Sequence, residues 1–150
     1  MIVTGSFDGS LRIWRSKDSL LKNPLLQTQE EFNFYSCTQI ISKPLGKIFS
    51  LSISSDSKYI VAGYSDKAVR IWKQDNRQVK VNKTEKGLES FFPLYRKHKS
   101  IKNHSSFVTT VNISDDDRYI ISGSTDRSVK LWMVDDEEVR DENCHQLGDN

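Results

Sequence analysis

The chain has 150 residues, room for one ordinary domain, with 36% hydrophobic and 28% charged residues and a formal net charge of +2. So small an imbalance creates no global field for a polyanion or a membrane surface, and no apolar run reaches the roughly 18 residues that cross a bilayer. The two cysteines, Cys37 and Cys144, give neither a disulfide framework nor metal-ligand spacing, and the first residues lack the charged-then-apolar pattern of a secretory signal, so an intracellular protein, cytoplasmic or nuclear, is expected.

Along the chain, short β-branched and aromatic runs alternate with clusters of Asp, Ser and Gly, the pattern of strands joined by tight turns. Residues 2–5 and 11–14 read as two strands. Residues 15–36 are mixed, with Leu20, Leu21, Pro24 and Leu25 suggesting a short helical turn, and residues 37–41 read as a strand. Residues 48–72 read as three more strands. A polar run over 74–88 follows, then Phe91-Phe92-Pro93-Leu94, and then a strand at 97–101. Strands are expected at 108–114, 119–124 and 128–134, with Asp115-Asp116-Asp117 and Thr125-Asp126-Arg127 as turns, because Asp bonds its own backbone and closes a turn locally. An acidic run, 135–138, leads to a last expected strand at 139–144.

The chain repeats itself. IFSLSISSDSKYIVAGYSDKAVRIW, beginning at Ile48, superposes without a gap on VTTVNISDDDRYIISGSTDRSVKLW, beginning at Val108, pairing Ser54 with Ser114, Asp56 with Asp116, Gly63 with Gly123, Asp66 with Asp126 and Trp72 with Trp132. A shorter copy, IVTGSFDGSLRIW, opens the chain with Gly5, Asp8 and Trp14 in register. Three matches to Gly-x-x-Asp-x-x-x-x-x-Trp in a chain of this length are a repeat, and a repeat decides the architecture before any local reading.

These residues resemble the WD-repeat family of β-propellers, whose units run about 40–45 residues with four strands each. The third copy fits best: Asn103-His104 stands where the family has Gly-His, Ser122-Gly123-Ser124-x-Asp126 matches its second strand and turn, and Trp132 ends its third strand. The sequence departs from the pattern in that Arg15, Lys73 and Met133 follow the tryptophans where the family has Asp, and Pro44 takes the His position in the second copy. The resemblance implies an all-β partial propeller of four-stranded antiparallel blades: a partial first blade over 1–42, a second over about 47–101, a third over about 107–144, and insertions at 15–36 and 74–95. Closed propellers use roughly 4–8 blades, so further blades are expected from missing sequence, as in a truncated gene model, or from another chain.

The resemblance also implies roles. His104, Ser122, Asp126 and Trp132 are expected to form a buried hydrogen-bonded tetrad that staples the blade, with Thr4, Asp8 and Trp14 its remnant in the first copy and Asp66 and Trp72 in the second, where Ala62 and Pro44 break the network. Partner contacts are expected from Phe7 in the first copy, Lys47, Phe49 and Ser65 in the second, and Phe107, Thr109 and Thr125 in the third, with both insertions leaving from the opposite end. The implied function is non-catalytic: a scaffold for protein or peptide partners, with no cofactor and no metal.

Four further patterns have a second reading. His104, Ser122 and Asp126 are also the residue types of a hydrolase triad, which would require an accessible His104. Arg96-Lys97-His98-Lys99 with Lys102, near Phe91, Phe92 and Tyr95, reads either as a solvated outer strand or as a nucleic-acid contact in an RNA-processing or chromatin complex. Asp115-Asp116-Asp117 has the charge for Ca²⁺ but not an EF-type spacing, and the Asn-x-Ser/Thr triplets at Asn82, Asn103 and Asn112 read as chance, since Asn112 falls inside an expected strand.

Overall fold

The computed structural model describes residues 1–16, 35–42, 46–83 and 89–134. These hold ten strands and no helix: β1 (Ile2–Gly5), β2 (Leu11–Ser16), β3 (Tyr35–Ile41), β4 (Ile48–Ile53), β5 (Tyr59–Tyr64), β6 (Val69–Lys83), β7 (Glu89–Ile101), β8 (Val108–Ile113), β9 (Tyr119–Ser124) and β10 (Val129–Met133). The expected helical turn near Leu20, Pro44, Cys144 and the expected strand at 139–144 lie outside the described residues.

The Asp-rich turns set the architecture. In the turn after β4, the Ser54 hydroxyl donates to Asp56 at 2.8 Å and accepts from the Tyr59 N–H at 2.8 Å, while Ser57 takes the left-handed conformation at φ 60°. Ser114, Asp116 and Tyr119 repeat these bonds after β8, with Asp117 at φ 60°. The turns leading to β2, β6 and β10 place Gly9, Lys67 and Arg127 at φ 81°, 70° and 68°, each closing a hairpin whose twist suits the flanking strands.

The result is three antiparallel sheets, β1-β2-β3, β4-β5-β6-β7 and β8-β9-β10. The second lies between the other two, with β1 against β4, and β4 and β5 against β8. Alternation along β5 explains why all six of its residues are buried. Ile60, Ala62 and Tyr64 join Val3, Leu11 and Ile13 of the first sheet in one apolar cluster; Tyr59 and Val61 join Val108, Val111 and Ile113 of the third in another. Burying one such aliphatic side chain contributes about 1.5–3 kcal/mol. Gly63 permits the second contact, because a Cβ there would lie 2.8 Å from Val108 Cγ1 and 3.1 Å from its carbonyl oxygen.

β6 and β7 pair beyond the other hairpins, from Val69↔Ile101 past Gln78↔Pro93 to Lys83↔Glu89. The extension runs into the segment read as the second insertion, as a bulged two-stranded ribbon. It leaves the sheet beside the turn after β4, where the Gln74 N–H bonds the Lys58 carbonyl at 2.8 Å, at the opposite end of β4 from Phe49.

Candidate functional site

The third sheet brings its four motif residues together. Asp126 accepts at 2.9 Å from His104 Nδ1, which leaves Nε2 to accept from the Ser122 hydroxyl at 2.8 Å, and Ser122 Oγ accepts from the Trp132 indole N–H at 2.9 Å. His104 and Trp132 are buried and Ser122 is fully so; a hydroxyl enclosed in this way does not meet a substrate. Two residues that the motif reading missed complete the network: Asp126 also accepts from the Ser105 N–H at 2.8 Å and from the Ser128 hydroxyl at 2.5 Å. Burial alone would raise the Asp126 carboxyl, but the bonds from Ser128, Ser105 and His104 outweigh it and hold it well below the usual carboxylate range.

The other copies solve the same problem differently. In the first, the Trp14 N–H bonds Thr4 Oγ1 at 3.1 Å, and Asp8 turns to the Ser10 N–H at 2.8 Å. In the second, Asp66 is held by a forked ion pair from Arg70, Nη1 to Oδ1 at 2.9 Å with Nη2 on Oδ2, and the guanidinium stacks on the Tyr64 ring at 4.2 Å from its centroid. Arg70 thus holds the turn Asp of the second copy, as His104 holds that of the third. Buried Trp72 has no hydrogen-bond acceptor among the described residues; the Tyr64 hydroxyl lies nearby without reaching hydrogen-bonding geometry.

The residues expected at the partner face come together at the opposite end from the β6–β7 ribbon. Phe7 meets Phe49 edge to face with centroids 5.5 Å apart, and Phe49 meets Phe107 at 6.0 Å. They come from three different places in the motif: Phe7 precedes the turn Asp, Phe49 lies within an inner strand and Phe107 precedes one. A β-bulge explains Phe49, the extra residue between the pairs Ile48↔Tyr64 and Ser50↔Gly63, since a bulge re-aims the side chain it carries. Thr109 is the extra residue at the same place in β8. The row is open to solvent, Phe7 at 64%, Phe49 at 37% and Phe107 at 48% exposure, and Lys47 Nζ sits 5.6 Å over the Phe7 ring. Ser65, Thr109 and Thr125 use their hydroxyls within the chain, although Thr109 and Thr125 remain exposed. Ser65 Oγ accepts from the Lys47 N–H at 2.9 Å, Thr109 donates to the Gly123 carbonyl at 3.3 Å and Thr125 donates to Ser106 at 2.8 Å.

The basic segment lies on β7, the outer strand of its sheet. Arg96 pairs with Asp75 at 2.7 Å, and Lys97, His98 and Lys102 are exposed. Tyr95, read from sequence as an aromatic companion of this segment, is buried in the core between the first two sheets, so it offers no surface for stacking. Its backbone is bound by the Gln39 side chain, which donates to the Tyr95 carbonyl and accepts from its N–H, both at 2.8 Å. This bridge between β3 and β7 has no motif signal.

A family model for the WD domain, G-beta repeat, matches residues 1–15, 35–73 and 95–133, together more than half of the chain. The chain is similar to Protein HIR1 of Kluyveromyces lactis, 30% identical over 120 residues, covering 77% of this chain and 12% of that protein. It is 27% identical over 138 residues to the U3 small nucleolar RNA-associated protein 12 of Saccharomyces cerevisiae, covering 90% and 12%. Against the ribosome biogenesis protein WDR12 homolog of Oryza sativa subsp. japonica it is 27% identical over 142 residues, covering 91% and 26%. The chain therefore spans only a small part of the length of these relatives. The matched segments coincide with the three antiparallel sheets and their repeated Asp turns, and the chain belongs to the WD-domain, G-beta-repeat family, with the fold of a partial β-propeller.

Proposed function

We propose that this chain is a non-catalytic, intracellular scaffold that holds a protein or peptide partner within a larger complex, and that the partner docks on the row Phe7–Phe49–Phe107. The row itself carries this reading. Three aromatic rings in mutual contact and open to water are costly to leave exposed and well suited to anchor a partner. Rigid sheets beneath them hold the surface in place without an ordering cost. The buried tetrad serves as a staple of the third sheet, satisfying each polar group that it encloses. Three sheets among the described residues are fewer than the roughly 4–8 blades of a closed propeller, and further blades from a longer sequence or from another chain would complete one.

Affinity measurements on a co-purified partner test the face. Phe49→Ala or Phe107→Ala is expected to weaken binding about 30-fold, the loss of about 2 kcal/mol that follows truncation of an aromatic anchor. Full affinity in both variants overturns the assignment.

A second reading rests on the exposed Lys97 and His98 of β7 and Lys102 just beyond it: an accessory subunit of an RNA-processing or chromatin complex that touches nucleic acid through residues 96–102. Two relatives carry names of that kind, one small nucleolar RNA-associated and one for ribosome biogenesis. Binding to RNA that falls steeply with salt and is lost in Lys97→Glu with Lys102→Glu would favour it.

A further inference from the structure

We infer that the phenylalanine row, taken as the partner face proposed above, recognises an acidic peptide segment carrying a bulky apolar side chain. The apolar part follows from Phe7, Phe49 and Phe107, whose contiguous rings leave no polar group of their own between them. The acidic part follows from the charges around them. Lys47 lies over the Phe7 ring. Lys67 and Arg127 occupy the left-handed corners of two turns at φ 70° and 68°, and both are exposed. Each stands two residues beyond a turn residue whose N–H bonds the backbone of the face: Ser65 to the Lys47 carbonyl at 2.9 Å, Thr125 to the Phe107 carbonyl at 3.0 Å.

No carboxylate among the described residues pairs with Lys47, Lys67 or Arg127. The aspartates nearest in sequence are committed elsewhere. Asp66 is held by Arg70, and Asp126 by His104, Ser105 and Ser128. Asp8 is exposed, yet it is bonded to Ser10 and has the Arg12 charge beside it. The rim of the row is therefore positive although the chain as a whole is nearly balanced. Like charges at such a rim repel a basic peptide and favour an acidic one, and the attraction is expected to be sensitive to salt.

Fluorescein-labelled peptides of one length test this against the full chain by anisotropy: a central Phe or Leu flanked by Glu, by Ser or by Lys, and a Glu-flanked peptide with central Ser. The Glu-flanked apolar peptide is expected to bind about tenfold tighter than its Ser-flanked counterpart at low salt, and the gap is expected to shrink as salt rises. Reversing the rim with Lys47→Glu, Lys67→Asp and Arg127→Asp is expected to turn the preference toward the Lys-flanked peptide; Asp tolerates the left-handed corners, and a thermal melt confirms that the variant is folded. Equal or weaker binding of the acidic peptide, an unchanged order in the reversed variant, or no binding by any peptide overturns the inference. If Phe49→Ala abolishes all binding while the charge variants leave the order unchanged, the face stands and only its charge preference is wrong. If Phe49→Ala and Phe107→Ala leave peptide binding intact, the face itself is wrong.

Discussion

Asp117 closes one sheet onto the next through Ser55. Its carboxylate accepts from the Ser55 N–H at 2.7 Å, the Ser55 hydroxyl at 2.6 Å and the Asp56 N–H at 3.0 Å. The turn after β8 thus satisfies the backbone of the turn after β4. The Ser55 hydroxyl and these N–H groups hold the Asp117 carboxyl below its ordinary value. Asp117→Asn keeps the shape and tolerates φ 60° but loses the charge. It is expected to lower the thermal midpoint, while Asp115→Asn, two turn positions away, leaves it unchanged. Equal midpoints for the two variants would remove the clamp from the account.

The two later tryptophans give a matched comparison. Trp132→Phe removes an N–H that bonds buried Ser122; Trp72→Phe removes an N–H with no acceptor among the described residues. Both lose similar volume, so the hydrogen bond is the difference. Trp132→Phe is expected to cost about 1 kcal/mol more in denaturant unfolding. His104→Ala, which leaves Ser122 and Asp126 without their shared partner, is expected to cost about 1–3 kcal/mol. A Trp72→Phe cost equal to that of Trp132→Phe would show that the network contributes nothing.

Close packing at Gly63 makes its own prediction. A methyl group there meets Val108 Cγ1 at 2.8 Å, the Val108 carbonyl at 3.1 Å and Val111 Cγ1 at 3.2 Å, whereas at Gly123 the only close atom among the described residues is Thr110 Cγ2 at 2.8 Å, a side-chain end. Gly63→Ala must push the second and third sheets apart and is expected to destabilise by about 1–3 kcal/mol. Gly123→Ala is expected to do less. Chemical denaturation of both variants checks the order.

Acid should loosen the turns first. Asp56, bonded by Lys58 and by Ser54, and Asp116, bonded by Ser114 and by Arg118, each sit at about 2, and Asp126 lies lower than the usual range as well. In the unfolded chain a carboxyl titrates near about 3.9. Folded values below unfolded ones mean stabilisation that is complete above about pH 5 and lost as pH falls from about 4 through about 2. The thermal midpoint is expected to be flat from neutrality to about pH 5 and then to drop. Asp126→Asn is expected to melt lower at neutrality and to converge on the wild type in acid; a constant difference across that range would contradict the assignment.

The strands and turns were legible because each is specified locally. Asp-Ser-Gly clusters mark the hairpins, and the offset between copies places β4, β5, β8 and β9 without any knowledge of packing. The residues that tie one sheet to the next were not legible, because each depends on its neighbour. Gln39 carries no signal that it will bridge to Tyr95, and Asp117 reads as a turn residue until the second sheet lies beside it. Arg70 was hidden by its place in a strand, where the motif expects no cation for Asp66. Tyr95 looked like an exposed companion of Lys97 because both fall in one basic, aromatic stretch, yet strand alternation turns its ring into the core. The phenylalanines were identifiable singly; their contact follows from the bulge at Phe49 and from the order of the sheets.

A partner seated on the row Phe7–Phe49–Phe107 should slow the exchange of the backbone beneath it. Amide hydrogen exchange of the chain with and without its co-purified partner measures this. The expected footprint is slowed exchange at residues 47–49, 65–67, 107–109 and 125–127, with β7 unchanged. Protection confined to residues 96–102, with those segments exchanging as in the free chain, would contradict it and move the function to the basic strand.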